Sequence, residues 1–144
     1  MTITKASHAD MSAIISLLKA NDLPVDDIAP GKQQFYIATN QSQIIGAIGL
    51  ETYGPDALLR SLVVNEEWRN QSVGNALYNC LVSECTGHIR HLYLLTRTAQ
   101  SYFEHRNWSV IDRHAAPEAI KASAEFSHLC PSSAVCMHLA LTIA

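Results

Sequence analysis

Three groups of residues in this chain have the types and spacing to do chemistry. The first is Arg69-Asn70-Gln71-Ser72-Val73-Gly74-Asn75, which lies between an apolar run, Leu62-Val63-Val64, and a helical pattern running from Val73 toward Cys85. A strand that hands over to a helix through small and polar residues aims several backbone N–H groups at one spot, where the helix dipole adds partial positive charge. That arrangement suits a phosphate; its rival is an ordinary strand-to-helix turn with a serine cap. The second is Arg60, a guanidinium inside Leu58-Leu59-Arg60-Ser61-Leu62. A charge in an apolar strand is costly unless paired, and the guanidinium fork suits bidentate binding of a carboxylate. Two partners satisfy it: the carboxylate of a bound substrate, or an internal ion pair with Glu51. The third group is Glu51 itself, closing Gly49-Leu50-Glu51. A carboxylate there can serve as a general base, or sit solvated at a strand end. Glu66 and Glu67 read as exposed charges.

The elements that must position these groups follow from the pattern of apolar residues and turn formers. Thr2 to Ala6 is β-prone, and Ser7-His8-Ala9-Asp10 supplies capping types before a helical face of Ile14, Ile15, Leu17 and Leu18 that ends near Ala20. Asp22-Leu23-Pro24 breaks that helix, Val25 to Ala29 predicts a short helical turn, and Pro30-Gly31 ends it. Gln34 to Thr39 and Gln43 to Glu51 predict a hairpin across Asn40 to Ser42, and Ala57 to Val64 a third antiparallel strand after the Tyr53 to Asp56 turn. Gly46 and Gly49 inside the second strand mark bulges or close neighbours. Gly87 is placed to stop the helix that begins at Val73, and His91 to Thr96 should run parallel to the strand ending at Val64. Thr98 to His105 predicts a helix, Trp108 to Arg113 a strand, Pro117 to Phe126 a helix and Ala134 to Ala140 a closing strand.

The chain has 144 residues, enough for one domain with a proper core, and a formal charge of −3. With no basic excess, a nucleic-acid partner is not expected. No stretch approaches the ~18–20 apolar residues of a membrane span, and the N-terminus lacks the pattern of a signal peptide. The expected location is the cytoplasm. Cys80, Cys85, Cys130 and Cys136 are then expected as reduced thiols, either packed in the core or available to a thiophilic ligand. Neither pair has the spacing of a zinc knuckle, and no metal is expected.

Arg69 to Gly74 resembles the acyl-CoA pyrophosphate loop of the GNAT N-acetyltransferases: Arg or Gln, two residues, Gly, one residue, then Gly or Ala. Ser72 stands where the family has its first glycine. Ala99-Gln100-Ser101-Tyr102-Phe103 through Trp108 is similar to a second family segment, in which many members carry a tyrosine that protonates the leaving thiolate. Phe103 holds that position here, and Tyr102 lies one place early, ~100° away around a helix. A CoA thiol with a pKa near that of cysteine, about 8.5, can leave to water. Leu94 to Ala99 is similar to GNAT domains that acetylate the α-amine of glutamate. The tail from Pro117 through Met137, with Leu23-Pro24, Gly49 to Glu51 and Ala57 to Leu62, is similar to a subgroup encoded with arsenic-resistance genes.

The resemblance implies an α/β fold: a single domain over residues 1–144 with a mixed, mostly antiparallel seven-stranded sheet flanked by helices, its fourth and fifth strands splayed. It implies acetyl-CoA as cosubstrate, with the backbone of Leu62, Val63 and Val64 pairing with pantetheine. Arg69, Asn70, Gln71, Ser72, Val73, Gly74 and Asn75 would hold the pyrophosphate, with Thr96 and Phe103 at further cofactor positions. A main-chain N–H at Val63 or Val64 would meet the developing oxyanion. The expected activity is direct acetyl transfer to the primary amine of a small molecule, an amino acid or an analogue, arsenical ones included, with Glu51 as base and Arg60 and Glu51 binding substrate. A homodimer accords with the family's habits. A non-catalytic acyl-CoA-binding or thiol-based sensor and a protein N-acetyltransferase are the rival functions.

Overall fold

The two-residue turn Gln41-Ser42 sets the register of the first hairpin. Both residues have positive φ, +49° and +68°, which matches the right-handed twist of the strands that flank the turn. It joins β2 (Gln34–Asn40) to β3 (Gln43–Tyr53), and β1 (Thr2–Lys5) adds antiparallel to β2 through the pairs Thr2 to Lys5 with Thr39 to Tyr36. The computed structural model describes residues 1–29 and 31–141; Pro30 of the expected Pro30-Gly31 turn and the last three residues of the expected domain lie outside them. Among the described residues one seven-stranded sheet has the order β1-β2-β3-β4-β5-β7-β6, with β4 at Asp56–Val64, β5 at His91–Thr96, β6 at Ser109–Ile111 and β7 at Val135–Ala140. The chain divides into two compact units: Met1–Glu51 with Arg60–Cys85, and Thr52–Leu59 with Thr86–Ala144.

In the first unit, α1 (Met11–Ala20) follows a single 3-10 turn, His8–Asp10, whose start is capped by the Asp10 carboxylate accepting from Ser7 N at 2.8 Å and Ser7 Oγ at 3.0 Å. Its Ile14 and Leu18 pack with Phe35, Ile37, Ala47 and Val63 into one apolar cluster, against which Leu23, Val25 and Ile28 also rest. The helix α2 (Val73–Cys85) buries Val73, Leu77, Tyr78, Leu81 and Cys85. A side chain at Gly46 would put its Cβ 3.0 Å from Leu77, 3.1 Å from the Val63 carbonyl and 3.1 Å from Val73, so only glycine lets the first two turns of α2 lie this deep against β3. Val25 to Ala29 is an open turn with a single Ile28 N to Val25 O bond of 3.1 Å, where the sequence predicts a helical turn. The Gln33 side chain takes up the Asp27 carbonyl and the Ala29 N–H, backbone groups that a helical turn would use itself.

In the second unit the parallel ladder between β4 and β5 covers Asp56↔His91, Ala57↔Leu92 and Leu58↔Tyr93 and then ends. The antiparallel pairing of β5 with β7 runs the whole length, His91↔Ala140 to Thr96↔Val135. Leu58, Tyr93, Ala116, Ile120, Phe126 and Cys136 form its core. The elements between the strands are shorter than their sequence pattern predicts, and side chains cut each one. Thr96 Oγ1 accepts from Ala99 N at 2.9 Å, which delays α3 to Gln100–Glu104, and Asn107 at φ +72° stops it. Asp112 leaves β6 to cap the 3-10 turn Arg113–Ala115, accepting from His114 N at 2.8 Å. Ser123 Oγ donates to Ile120 O at 2.6 Å, so α4 ends at Glu118–Lys121 and the chain continues in the wide turn Glu125–Leu129.

Candidate functional site

The loop that leads into α2 is shaped residue by residue. Asn65 leaves β4 by donating its N–H to Ile45 O at 2.7 Å, and its side chain accepts from Glu67 N at 3.0 Å to cap the 3-10 turn Glu66–Trp68. Asn70 and Ser72 both stand at φ +65°, in the left-handed region. Asparagine tolerates that conformation; serine does so at a cost that glycine avoids. Ser72 therefore adopts the backbone a glycine would adopt, and its carbonyl receives the helical bond from Ala76 N at 3.0 Å. Arg69, Asn70, Gln71, Ser72 and Asn75 are exposed, while Val73 is buried and anchors the helix start. A Cβ at Gly74 would meet only Val64, at 3.7 Å, an ordinary contact, so no protein neighbour requires glycine there. Arg69 does not extend into solvent alone: its Nε donates to Val64 O at 3.3 Å and its Nη2 to the Asn21 side chain at the end of α1. Gln71 donates to Glu67 O at 3.3 Å. The result is a polar, main-chain-rich loop at the N-terminus of a 13-residue helix, tied down on both sides.

Upstream of this loop, Ser61 interrupts β4 with φ +58°. The alternation of buried and exposed side chains fails there: Ala57, Leu58, Leu59 and Arg60 are all buried in succession, then Leu62 is half-buried, Val63 buried and Val64 half-buried. Arg60 is the result that most changes the sequence-based picture. Its side chain is fully buried, and its guanidinium donates to Asp27 through both Nη1 and Nη2 (2.9 Å for the latter), to Glu51 Oε2 at 2.7 Å and to Ser61 Oγ at 3.0 Å. Of the two partners open to it, the internal one is formed, with Asp27 as a second carboxylate. The guanidinium is thus held by two carboxylates of the protein itself, one from β3 and one from the segment before β2. Glu51 Oε2 also accepts from Gln33 Nε2 at 3.0 Å, and the same Gln33 group donates to Asp27 O at 3.2 Å while its Oε1 accepts from Ala29 N at 3.1 Å. Glu51 is thus a buried, fixed carboxylate and not a solvated strand end. Asp27 and Gln33 are functional candidates that sequence reasoning missed. The only signal they carried was an acid and an amide flanking a turn.

In the second unit, Thr96 ends β5 with its hydroxyl oxygen on Ala99 N, and Phe103 is buried, edge-on to Trp108 at 5.4 Å between ring centres and to Tyr102 at 5.0 Å. Tyr102 itself lies beneath the Arg106 guanidinium, 3.6 Å from its ring centre. His91 Nδ1 and His138 Nε2 are 2.8 Å apart, their rings stacked. Burial, and then the neighbouring His91, push the His138 pKa below the usual imidazole range, against the opposing pull of Asp56. Burial, with Glu84 adding, pushes the Cys85 thiol up to about 11, and burial pushes Cys136 to about 11 despite Arg113. Burial therefore favours the protonated form of both thiols and lowers their reactivity as nucleophiles. Among the described residues no group of three or more His, Cys, Asp or Glu side chains is arranged to hold a metal ion, and no helix is long and apolar enough to cross a membrane.

The strand, the tight loop with two left-handed residues and the helix all lie within residues 31–110, which match the family described as acetyltransferase (GNAT) domain. The chain belongs to that family. It carries an acetyltransferase domain over those residues. Among solved structures it is similar to N-acetylglutamate synthase from Neisseria gonorrhoeae complexed with coenzyme A and L-arginine, with TM-score 0.80 at 16% identity over 97% of this chain and 33% of that one. This chain thus spans about a third of the length of that synthase. A GNAT-family acetyltransferase from Staphylococcus aureus Mu50 matches with TM-score 0.76 at 19% identity, covering 98% and 99% of the two chains. An aminoglycoside 6′-N-acetyltransferase complexed with coenzyme A matches with TM-score 0.73 at 15% identity, covering 100% and 99%. No curated protein sequence matches the chain.

Proposed function

We propose that this protein transfers acetyl from acetyl-CoA to the primary amine of a small molecule, an amino acid or amino-acid analogue, arsenical analogues included, by direct attack of the amine on the thioester. The observation that carries the proposal is the loop Arg69 to Asn75, whose left-handed Asn70 and Ser72 turn the main chain onto the start of α2. Exposed main chain, the positive end of the helix dipole and the Arg69 charge favour a pyrophosphate there. Gly74 keeps the approach open where no protein neighbour fills it. Pantetheine pairs with the backbone of Leu62 to Val64, and an N–H of Val63 or Val64 receives the oxyanion. Thr96 and Phe103 border the cofactor through a hydroxyl and an apolar ring.

Glu51 is the base. An ammonium cannot attack, so the acceptor must lose a proton, and a carboxylate held by Arg60 and Gln33 is oriented to receive it. The tetrahedral intermediate then collapses, the carbon–sulfur bond breaks, and CoA leaves as a thiolate protonated by water. The whole chain, residues 1–144, works as one catalytic domain in the cytoplasm, where its free cysteines stay reduced, and it pairs as a homodimer.

The test is turnover of acetyl-CoA against a panel of amino acids, their arsenic and phosphorus analogues, aminoglycosides and peptides, read by release of the CoA thiol. Turnover with a small amino acid or analogue is the expected result. Tight CoA binding with no turnover on any amine would make the protein a sensor, and turnover only on peptides would make it a protein acetyltransferase.

A further inference from the structure

The buried Arg60 cluster has a feature that the proposed chemistry does not require: it fastens a distant segment of chain to Glu51. Asp27 meets the Arg60 guanidinium end-on, one carboxylate oxygen on Nη1 and the other on Nη2, and the same Nη1 also contacts Glu51 Oε2 at 2.7 Å. Gln33 repeats the connection six residues later, bonding both the Asp27 carbonyl and Glu51 Oε2. The segment between α1 and β2 is held from its other side too, by Leu23, Val25 and Ile28 against the apolar cluster of Ile14, Leu18 and Phe35.

An Arg–carboxylate pair taken out of water gains little stability over an apolar replacement, because desolvation offsets most of the attraction. Such a pair is better suited to fixing geometry. Its bidentate form sets both the distance and the plane of the guanidinium, and Nη1 then holds Glu51 Oε2 at one angle. Removing one oxygen charge from Asp27 lets the guanidinium turn, and Glu51 turns with it.

We propose that Asp27 is a positioning residue for acetyl transfer: acting through Arg60, it fixes the Glu51 carboxylate, with Gln33 bonded to both Asp27 and Glu51. The inference rests on Glu51 as base and assigns to Asp27 a role in the acceptor step without contact with the reacting atoms. Proton transfer to a base displaced by an ångström is slowed by one to two orders of magnitude.

The experiment is a double-mutant cycle of Asp27→Asn and Glu51→Gln on the full chain, with steady-state kinetics varied separately in the best amine of the panel and in acetyl-CoA. Asp27→Asn keeps the shape and one acceptor oxygen. It should lower kcat about 10-fold or more while the KM for acetyl-CoA stays within twofold. In the Glu51→Gln background the same substitution should have almost no further effect, since Asp27 acts through the group already removed. A merely structural role predicts the opposite, a loss of equal factor in both backgrounds, and that result, or unchanged kinetics of Asp27→Asn, overturns the inference. Glu51→Gln alone reads the base assignment separately: full activity in that single variant ends it whatever the cycle gives. Should Asp27→Asn unfold, Arg60→Lys takes its place in the cycle, with the same near-silence in the Glu51→Gln background expected and equal losses fatal.

Discussion

Two polar clusters in this protein solve the problem of placing titratable groups among apolar ones in opposite ways. The Arg60 cluster keeps its charges and pairs them: one guanidinium with side chain wholly out of water, two carboxylates 8% and 11% exposed, and Gln33 bridging them. The His91–His138 pair brings two ring nitrogens within 2.8 Å with the rings stacked, and burial and then the neighbouring His91 oppose the charged form of His138. The first arrangement fixes a geometry and is expensive to break. The second yields by degrees as protons are supplied.

The largest expected effect breaks the first cluster. Arg60→Met leaves Asp27 and Glu51 buried without their counter-charge and should cost about 3–5 kcal/mol, read as a lowered urea midpoint. A loss below about 1 kcal/mol would mean that the carboxylates find water and that the two clusters are not different in kind.

The second effect is on pH dependence. The folded His138 pKa lies below the unfolded value of about 6.5, so its contribution to stability is present above that pH and lost as pH falls through the lowered folded value. Thermal midpoints should decline on acidification below about pH 6.5, and His91→Gln, which removes the neighbouring charge, should make the decline shallower. An identical slope in that variant would show that burial alone sets the behaviour and that the pair does not act as one.

The smallest effect concerns a third way of presenting polar groups, by main chain alone. Ser72→Gly removes the cost of a left-handed serine and should stabilise the fold by about 0.5 kcal/mol once the extra freedom of glycine in the unfolded chain is subtracted. Its KM for acetyl-CoA should stay within about threefold. A large rise would give the Ser72 hydroxyl a direct part in phosphate binding, a use of side chains closer to the Arg60 cluster.

The same contrast explains what could be read from the residues in order. The loop from Arg69 to Gly74 is local, so the strand before it, the helix after it and the glycine-like backbone at Ser72 all follow from a dozen neighbouring residues, and α2 and β5 fall where the pattern puts them, at Val73–Cys85 and His91–Thr96. The partners of Arg60 are not local. Glu51 lies within the adjoining strand and was nameable, whereas Asp27 sits 33 residues away on a turn that the pattern renders as helical. Ser61 was hidden for another reason: an apolar run gives no sign that one of its members has a positive φ. The shortened α3, α4 and β6 share a cause, since Thr96, Ser123 and Asp112 compete for backbone partners in ways periodicity does not register.

Gly46 gives the loop from Arg69 to Asn75 a mechanical backing. With Val73 and Leu77 seated against a bare α-carbon, the first turns of α2 rest on a rigid stop formed by β3, and the loop above them has no slack toward the sheet. Growth of the residue at 46 by a single methyl group would act as a shim, lifting the helix start by some tenths of an ångström. A change in the middle of a buried strand would then be registered at the exposed end of the helix, some residues away from where it was made.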